Sequence, residues 1–320
     1  MASVVESELA ALLAGLSASP SKSSPQFNSI LNIASHNPTG LLQAIPKVER
    51  DPAKSLGLLS SLLTKGQAPL PVLDVLRCYS ALRRGMSEAA KAGKSPEITQ
   101  AMDEAVDNIH NSYRCLSDLI EDSDRPVLLP PEGPPVTQAG LKRSVRDFKL
   151  PLHKDGVRNP VVAVAVPNGP LLAATCVAVT AHFTNAPINP AVGAEQFRAD
   201  VEQVQAHCIL TTPEMSEKLQ LNESWVAERG IQVFYVDFSP AQELTLTTQS
   251  GRPLPTHEMV SQPNKGSDIC LVLFTSGTSG KKKIVPFTLH LVVFGAMLVI
   301  DSWGLTSSDI CLNMMPLFHM

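Results

Sequence analysis

The run Leu271-Val272-Leu273-Phe274-Thr275-Ser276-Gly277-Thr278-Ser279-Gly280-Lys281-Lys282-Lys283 constrains this chain more than any other stretch. Its four leading apolar residues read as a buried strand. The next six are only Thr, Ser and Gly, and three lysines close the run. Gly277 and Gly280 permit positive φ and let backbone N–H groups approach an anion, while the hydroxyls of Thr275, Ser276, Thr278 and Ser279 add donors without bulk. With lysines at its lip, such a loop suits phosphate. Two other phosphate loops are excluded by spacing. One needs four residues between its first Gly and Gly-Lys-Ser/Thr, the other three spaced glycines, and neither pattern is present. A solvated Ser/Thr/Gly turn with a basic tail is the alternative, and the apolar strand before the loop weighs against it.

The chain before this loop changes character once. From Met1 to about Glu121 it reads as helical, starting with Val4 to Leu16 and a linker-like Ser/Pro segment from Ser17 to Pro25. Val72, Val75, Leu76, Tyr79, Leu82 and Met86 recur at helical intervals and give one apolar face. Ile98, Met102, Ala105, Ile109, Tyr113, Leu116 and Ile120 predict a long helix capped by Ser95 with Pro96 in its first turn. Such stripes read first as the packed faces of a small bundle, and His36 and His110 stand isolated. The Pro-rich segment 122–138 cannot continue a helix and predicts an extended linker.

Beyond it, strand and helix patterns alternate. Leu141 to Leu150 suits a short helix; Val161 to Val166 suits a strand covered on both faces; Leu171 to Ala181 suits a returning helix. A helix over Ala194 to Ala206, a strand at Cys208-Ile209-Leu210 and a strand from Ile231 to Val236 follow. The alternation predicts an α/β domain whose mainly parallel sheet carries helices on both faces and binds its ligand at the carboxyl ends of the strands. The expected organisation is therefore a helical region 1–121, a linker 122–138 and a βα sheet domain 139–320.

The loop resembles the signature loop of the adenylate-forming superfamily, which includes acyl-CoA synthetases and the adenylation domains of peptide synthetases. That family typically reads Thr-Ser-Gly-Thr-Thr-Gly, any residue, Pro, Lys. Here Ser279 replaces the second Thr, Lys282 stands where Pro is usual, and Lys283 takes the place of the family lysine. The likeness covers roughly Ala139 to Met320. Val161 to Asn168 is similar to a strand ending in Pro-Asn, Ala186 to Pro190 to a Pro-Ile-Asn-Pro turn, and Ile284 to Thr288 to the segment before a helix. Asn313 to His319 resembles the Pro-Leu-Phe-His motif.

The resemblance implies the adenylate-forming fold and ATP-dependent carboxylate activation: formation of an acyl-adenylate, then of a thioester. By it, Thr275, Ser276, Gly277, Thr278, Ser279 and Gly280 contact phosphate, Lys283 reaches the β/γ-phosphates, and His319 lies near the acyl pocket and thiol tunnel. Lys282 is expected to point to solvent, with a direct phosphate contact as the alternative. ATP with Mg²⁺ is the implied cofactor, a small carboxylic acid the substrate, and coenzyme A or a phosphopantetheine carrier protein the thiol acceptor. The family's adenine, ribose and C-terminal lysine motifs would follow His319, so the expectation is an incomplete form of such an enzyme. A carrier-loading adenylation domain and a non-catalytic interaction protein retaining part of the fold stay open as alternatives.

Composition narrows the classes further. Hydrophobic residues at 44%, charged residues at 18% and a net charge of −4 give no global basic field for nucleic acid. The six cysteines are dispersed without metal or redox spacing, which favours a reducing, cytoplasmic setting. The N-terminus shows no secretory pattern, and the longest apolar run, Leu291 to Ile300, falls short of the roughly 20 residues a bilayer span needs. It is expected to form a buried helix.

Overall fold

The computed structural model describes residues 4–16, 24–66, 70–90, 104, 106–152, 159–222, 224–254, 262–275 and 282–318. By internal contacts the chain divides into two units, Met1–Tyr113 with Val293–Asp309, and Arg114–Val292 with Ile310–Met320.

The first unit is helical. It contains α1 (Val4–Leu13), α2 (Pro25–His36), α3 (Pro38–Val48), α4 (Pro52–Lys65) and α5 (Val72–Ala90). Three of these begin in the same way. Ser24, Asn37 and Asp51 each stand at the N-cap and accept a backbone N–H, from Phe27, Gly40 and Ala53, while Pro25, Pro38 and Pro52 occupy the first helical turn. The cap oxygen satisfies an orphan donor, and proline there forfeits no hydrogen bond. Phe27, Ile30, Leu41, Ile45, Leu56 and Leu59 are fully buried, and Val75, Leu76, Tyr79 and Leu82 on the predicted face of α5 are buried too.

The long helix expected over 98–120 is not formed as such. Ser95 and Pro96 lie outside the described residues, helical structure ends at His110, and Tyr113 lies beyond it. The chain then turns, because the Asp118 carboxylate accepts the backbone N–H groups of Arg114 and Cys115 and nucleates a separate 3-10 turn, Leu116–Leu119. His110 is buried with its ring edge-on to Tyr79.

The second unit is α/β. The strand pair β1 (Pro126–Leu128) and β2 (Val136–Thr137) is antiparallel and leads into α6 (Gln138–Arg146). That helix starts before and ends before the predicted 141–150, since Thr137 caps it by accepting Gly140 N–H at 3.0 Å. There follow β3 (Val161–Ala165), α7 (Pro170–His182), β4 (Thr184–Pro187), α8 (Ala194–Gln203), β5 (Cys208–Thr211), α9 (Pro213–Lys218), α10 (Ser224–Glu228), β6 (Gln232–Phe238), β7 (Leu244–Thr248), β8 (Ile269–Thr275), β9 (Lys283–Thr288) and α11 (Leu289–Trp303).

One sheet takes β3 to β9 in the order β7-β6-β5-β3-β4-β8-β9. Its five inner strands run parallel, and β7 and β9 close the edges antiparallel. The mainly parallel α/β sheet expected from the sequence is thus the observed one. Both faces of β3 are covered: Val162 and Val164 pack with Leu172 and Val179 on one side, Ala163 and Ala165 with Phe197, Val201 and Trp225 on the other.

The run Leu291 to Ile300 is helical, but only one face of α11 is buried. Val293, Phe294 and Met297 are covered; Leu291, Leu298, Val299 and Trp303 are exposed. A run that is apolar all round carries no phase, so its sequence alone does not tell which stripe is covered.

Candidate functional site

In the parallel part of the sheet β3, β4 and β8 are neighbours, so their carboxyl ends share one edge. At that edge β3 leads into Pro167-Asn168, β4 ends at Pro187 ahead of Ile188-Asn189, and β8 ends at Thr275. Three stretches singled out in the sequence, far apart along the chain, therefore converge. A fourth joins them: the Asn168 side-chain oxygen accepts the backbone N–H of Leu317 at 3.0 Å, and Leu317 and Phe318 pack against the sheet core. Asn189 caps the following turn by accepting Ala191 N–H at 2.9 Å.

Of the predicted phosphate-contacting residues, Thr275 and Lys283 are described. Ser276, Gly277, Thr278, Ser279 and Gly280 lie outside the described residues, as does His319. Thr275 and Lys283 stand directly opposite each other, as the last register pair of the antiparallel β8–β9 ladder. Thr275 is half-buried. Lys283 is exposed and makes no ion pair with any described residue. A hydroxyl donor and an uncommitted ammonium at the same end of a parallel sheet suit an anion with several oxygens.

Lys282 corrects the sequence reading, which aims it at solvent. Its ammonium lies 2.6 Å from Asp200 Oδ2, a carboxylate side chain only 2% exposed, and 5.4 Å from the centre of the Phe274 ring. The reason is electrostatic, since a carboxylate buried in α8 demands a cationic partner and Lys282 supplies it. Gln196 Nε2 donates to the other Asp200 oxygen at 2.9 Å, and Gln203 Nε2 donates to the Lys282 carbonyl at 2.7 Å.

Sequence reasoning missed Asp200, Gln196 and Gln203. One signal was available: Asp200 sits three residues after Phe197 and four before Val204, on the apolar face of its own helix, where an unpaired charge is costly.

Among the described residues no group of three or more His, Cys, Asp or Glu is placed to hold a metal ion. Nor is any described helix long and apolar enough to cross a membrane. The cysteines are free, and burial pushes the Cys176 thiol up to about 11 and the Cys78 and Cys270 thiols up to about 12. They behave as core residues. His182 is buried beside Phe148 and Phe183; its Nε2 is 2.7 Å from the Val145 carbonyl, and burial holds its pKa below the ordinary histidine value.

Comparison with known proteins bears on residues 124–320, which match the family model described as AMP-binding enzyme. An oxalate–CoA ligase of Arabidopsis thaliana is 28% identical over 161 residues, covering 50% of this chain and 31% of the relative. An oxalate–CoA ligase of Saccharomyces cerevisiae is 25% identical over 222 residues, covering 61% of this chain and 40% of the relative. The chain thus spans well under two thirds of the length of these ligases. Among solved structures, apo MatB from Rhodopseudomonas palustris aligns with a TM-score of 0.49 at 16% identity, covering 64% of this chain and 40% of that one. With Thr275 and Lys283 of the signature stretch at the carboxyl edge of a mainly parallel sheet and a family match over more than half its length, the chain belongs to the AMP-binding, adenylate-forming enzymes of acyl-CoA-synthetase-like type.

Proposed function

We propose that this chain forms the triphosphate-binding part of an ATP-dependent carboxylate–CoA ligase. The observation that carries the reading is the end of the β8–β9 ladder, where Thr275 faces an exposed Lys283 that pairs with no acidic side chain among the described residues, at the carboxyl edge of the sheet. In the reaction proposed, a carboxylate oxygen of the acid attacks the α-phosphorus of ATP and the bond to the bridging oxygen breaks. Pyrophosphate leaves and an acyl-adenylate remains. A thiol then attacks the acyl carbon and AMP departs with its electron pair.

Negative charge moves onto the β/γ-phosphates in the first step. Lys283 neutralises that charge and the Thr275 hydroxyl donates to a phosphate oxygen. The loop residues Ser276, Gly277, Thr278, Ser279 and Gly280 take the remaining phosphate contacts by resemblance. Mg²⁺ would arrive with the nucleotide as its counter-ion. Relatives named as CoA ligases, for oxalate and for medium- or long-chain fatty acids, support a carboxylic acid as substrate and coenzyme A as acceptor. His319 is proposed to line the acyl side of the site.

The test is Mg-ATP binding measured by calorimetry on the wild-type chain and on Lys283→Ala. Loss of one charge-assisted contact predicts a cost of about 2 kcal/mol, roughly a thirtyfold weaker Kd. Equal affinity in the two proteins would remove Lys283 from the triphosphate site.

A further inference from the structure

We infer that Asp200 and Gln203 on α8 are positioning residues for the nucleotide, acting through Lys282 on Lys283; this rests on the triphosphate reading above. Lys282 is gripped at both ends. Its ammonium is held by Asp200 Oδ2 at 2.6 Å, and its carbonyl by Gln203 Nε2 at 2.7 Å. The carbonyl of Lys282 and the N–H of Lys283 share one rigid peptide plane, so fixing that oxygen fixes where the Lys283 Cα is placed. The β9 ladder begins at that same residue, with Lys283 opposite Thr275 and Ile284 opposite Phe274.

Asp200 is a firm anchor for this grip. It is 1% exposed, and its second oxygen is already occupied by Gln196 Nε2 at 2.9 Å, so the carboxylate has one orientation open to it. The Phe274 ring beneath the Lys282 ammonium adds a contact from the strand that ends in Thr275. Helix α8 is thereby tied to both strands at the point where Thr275 and Lys283 face each other. Neither Asp200 nor Gln203 needs to touch the ligand. Pre-setting the backbone at Lys283 leaves only its side-chain rotations to be ordered when the nucleotide binds.

The experiment measures Mg-ATP affinity by calorimetry, well below the melting temperature, for wild type, Asp200→Asn, Gln203→Ala and Gln203→Arg, with the melting temperature of each recorded alongside. Gln203 is exposed, so its variants keep the fold even where Asp200→Asn does not. Expected are about tenfold weaker binding in Asp200→Asn and in Gln203→Ala, and near wild-type binding in Gln203→Arg, which retains a donor of similar reach. Wild-type affinity in Gln203→Ala, whatever the melting temperatures do, would overturn the positioning role and leave the triphosphate reading intact. Failure of the folded wild-type chain to bind Mg-ATP would overturn both.

Discussion

Replacing Lys282 by alanine removes the only cation found within ion-pair distance of Asp200 among the described residues, and the cost follows from burial. The Asp200 side chain is 2% exposed and that of Lys282 32% exposed, so the variant leaves a carboxylate in the interior with one amide donor, Gln196, in place of an amide and a cation. Breaking a fully buried pair in this way costs about 3–5 kcal/mol. Water reaches the lysine end of this pair and screens it, which lowers the figure to about 2 kcal/mol. A urea dependence of about 2 kcal/mol per molar for a unit of this size converts that loss into a midpoint lower by about 1 M.

Trp225 is the reporter, being buried against Phe197 and Val201 on the α8 side of the sheet; a Trp303→Phe background removes the exposed second tryptophan. The double variant Asp200→Leu with Lys282→Met replaces both charges by apolar groups of similar length and should recover most of the loss. A midpoint shift under about 0.2 M for Lys282→Ala would refute the reasoning, because it would mean that the carboxylate does not depend on its lysine.

Two further outcomes follow from the buried groups. His182 has its folded pKa below its unfolded one because burial disfavours the imidazolium. Stability is therefore full above the unfolded pKa of about 6.5 and is lost as pH falls below it toward the folded value. His182→Gln should flatten the pH dependence of unfolding over that interval, and an unchanged slope would contradict this. Among the cysteines, Cys78, Cys176, Cys208 and Cys270 are held as thiols by burial, whereas Cys311 is exposed; a disulfide-exchange reagent should find one fast thiol per folded chain, absent in Cys311→Ser.

Much of the fold was legible because local patterns and tertiary packing agreed. The apolar run of β3 is continuous since Val162 and Val164 face one layer and Ala163 and Ala165 the other, and a strand buried on both sides leaves no room for polar alternation. The stripe on α5 matches its buried face for the same reason. Where local chemistry cut across the period, the pattern misled: the stripe over 98–120 continues in spacing, yet the Asp118 carboxylate captures two backbone donors and starts a new turn. Strand β4 was hidden because Thr184-Asn185-Ala186-Pro187 looks like a turn. In the sheet, Asn185 Nδ2 finds Thr180 Oγ1 at 3.2 Å and Thr184 Oγ1 donates to the Ile269 carbonyl at 2.7 Å, so the donors of its polar side chains are satisfied in the interior.

The sequence by itself determined the chemistry proposed for the site: a strand, a run of Gly, Ser and Thr, and a lysine whose types and order suit phosphate wherever the chain carries them. Those are properties of neighbouring residues, and neighbours share a local conformation. Only the tertiary structure decided where Lys282 goes, which the sequence aimed at solvent. Lys282 and Lys283 are indistinguishable by composition, but an aspartate 82 residues away lies buried and must be paired, so it claims Lys282 and leaves Lys283 exposed at the carboxyl edge of the sheet. The cost of an unpaired charge depends on burial, and burial exists only once α8 has packed on the sheet.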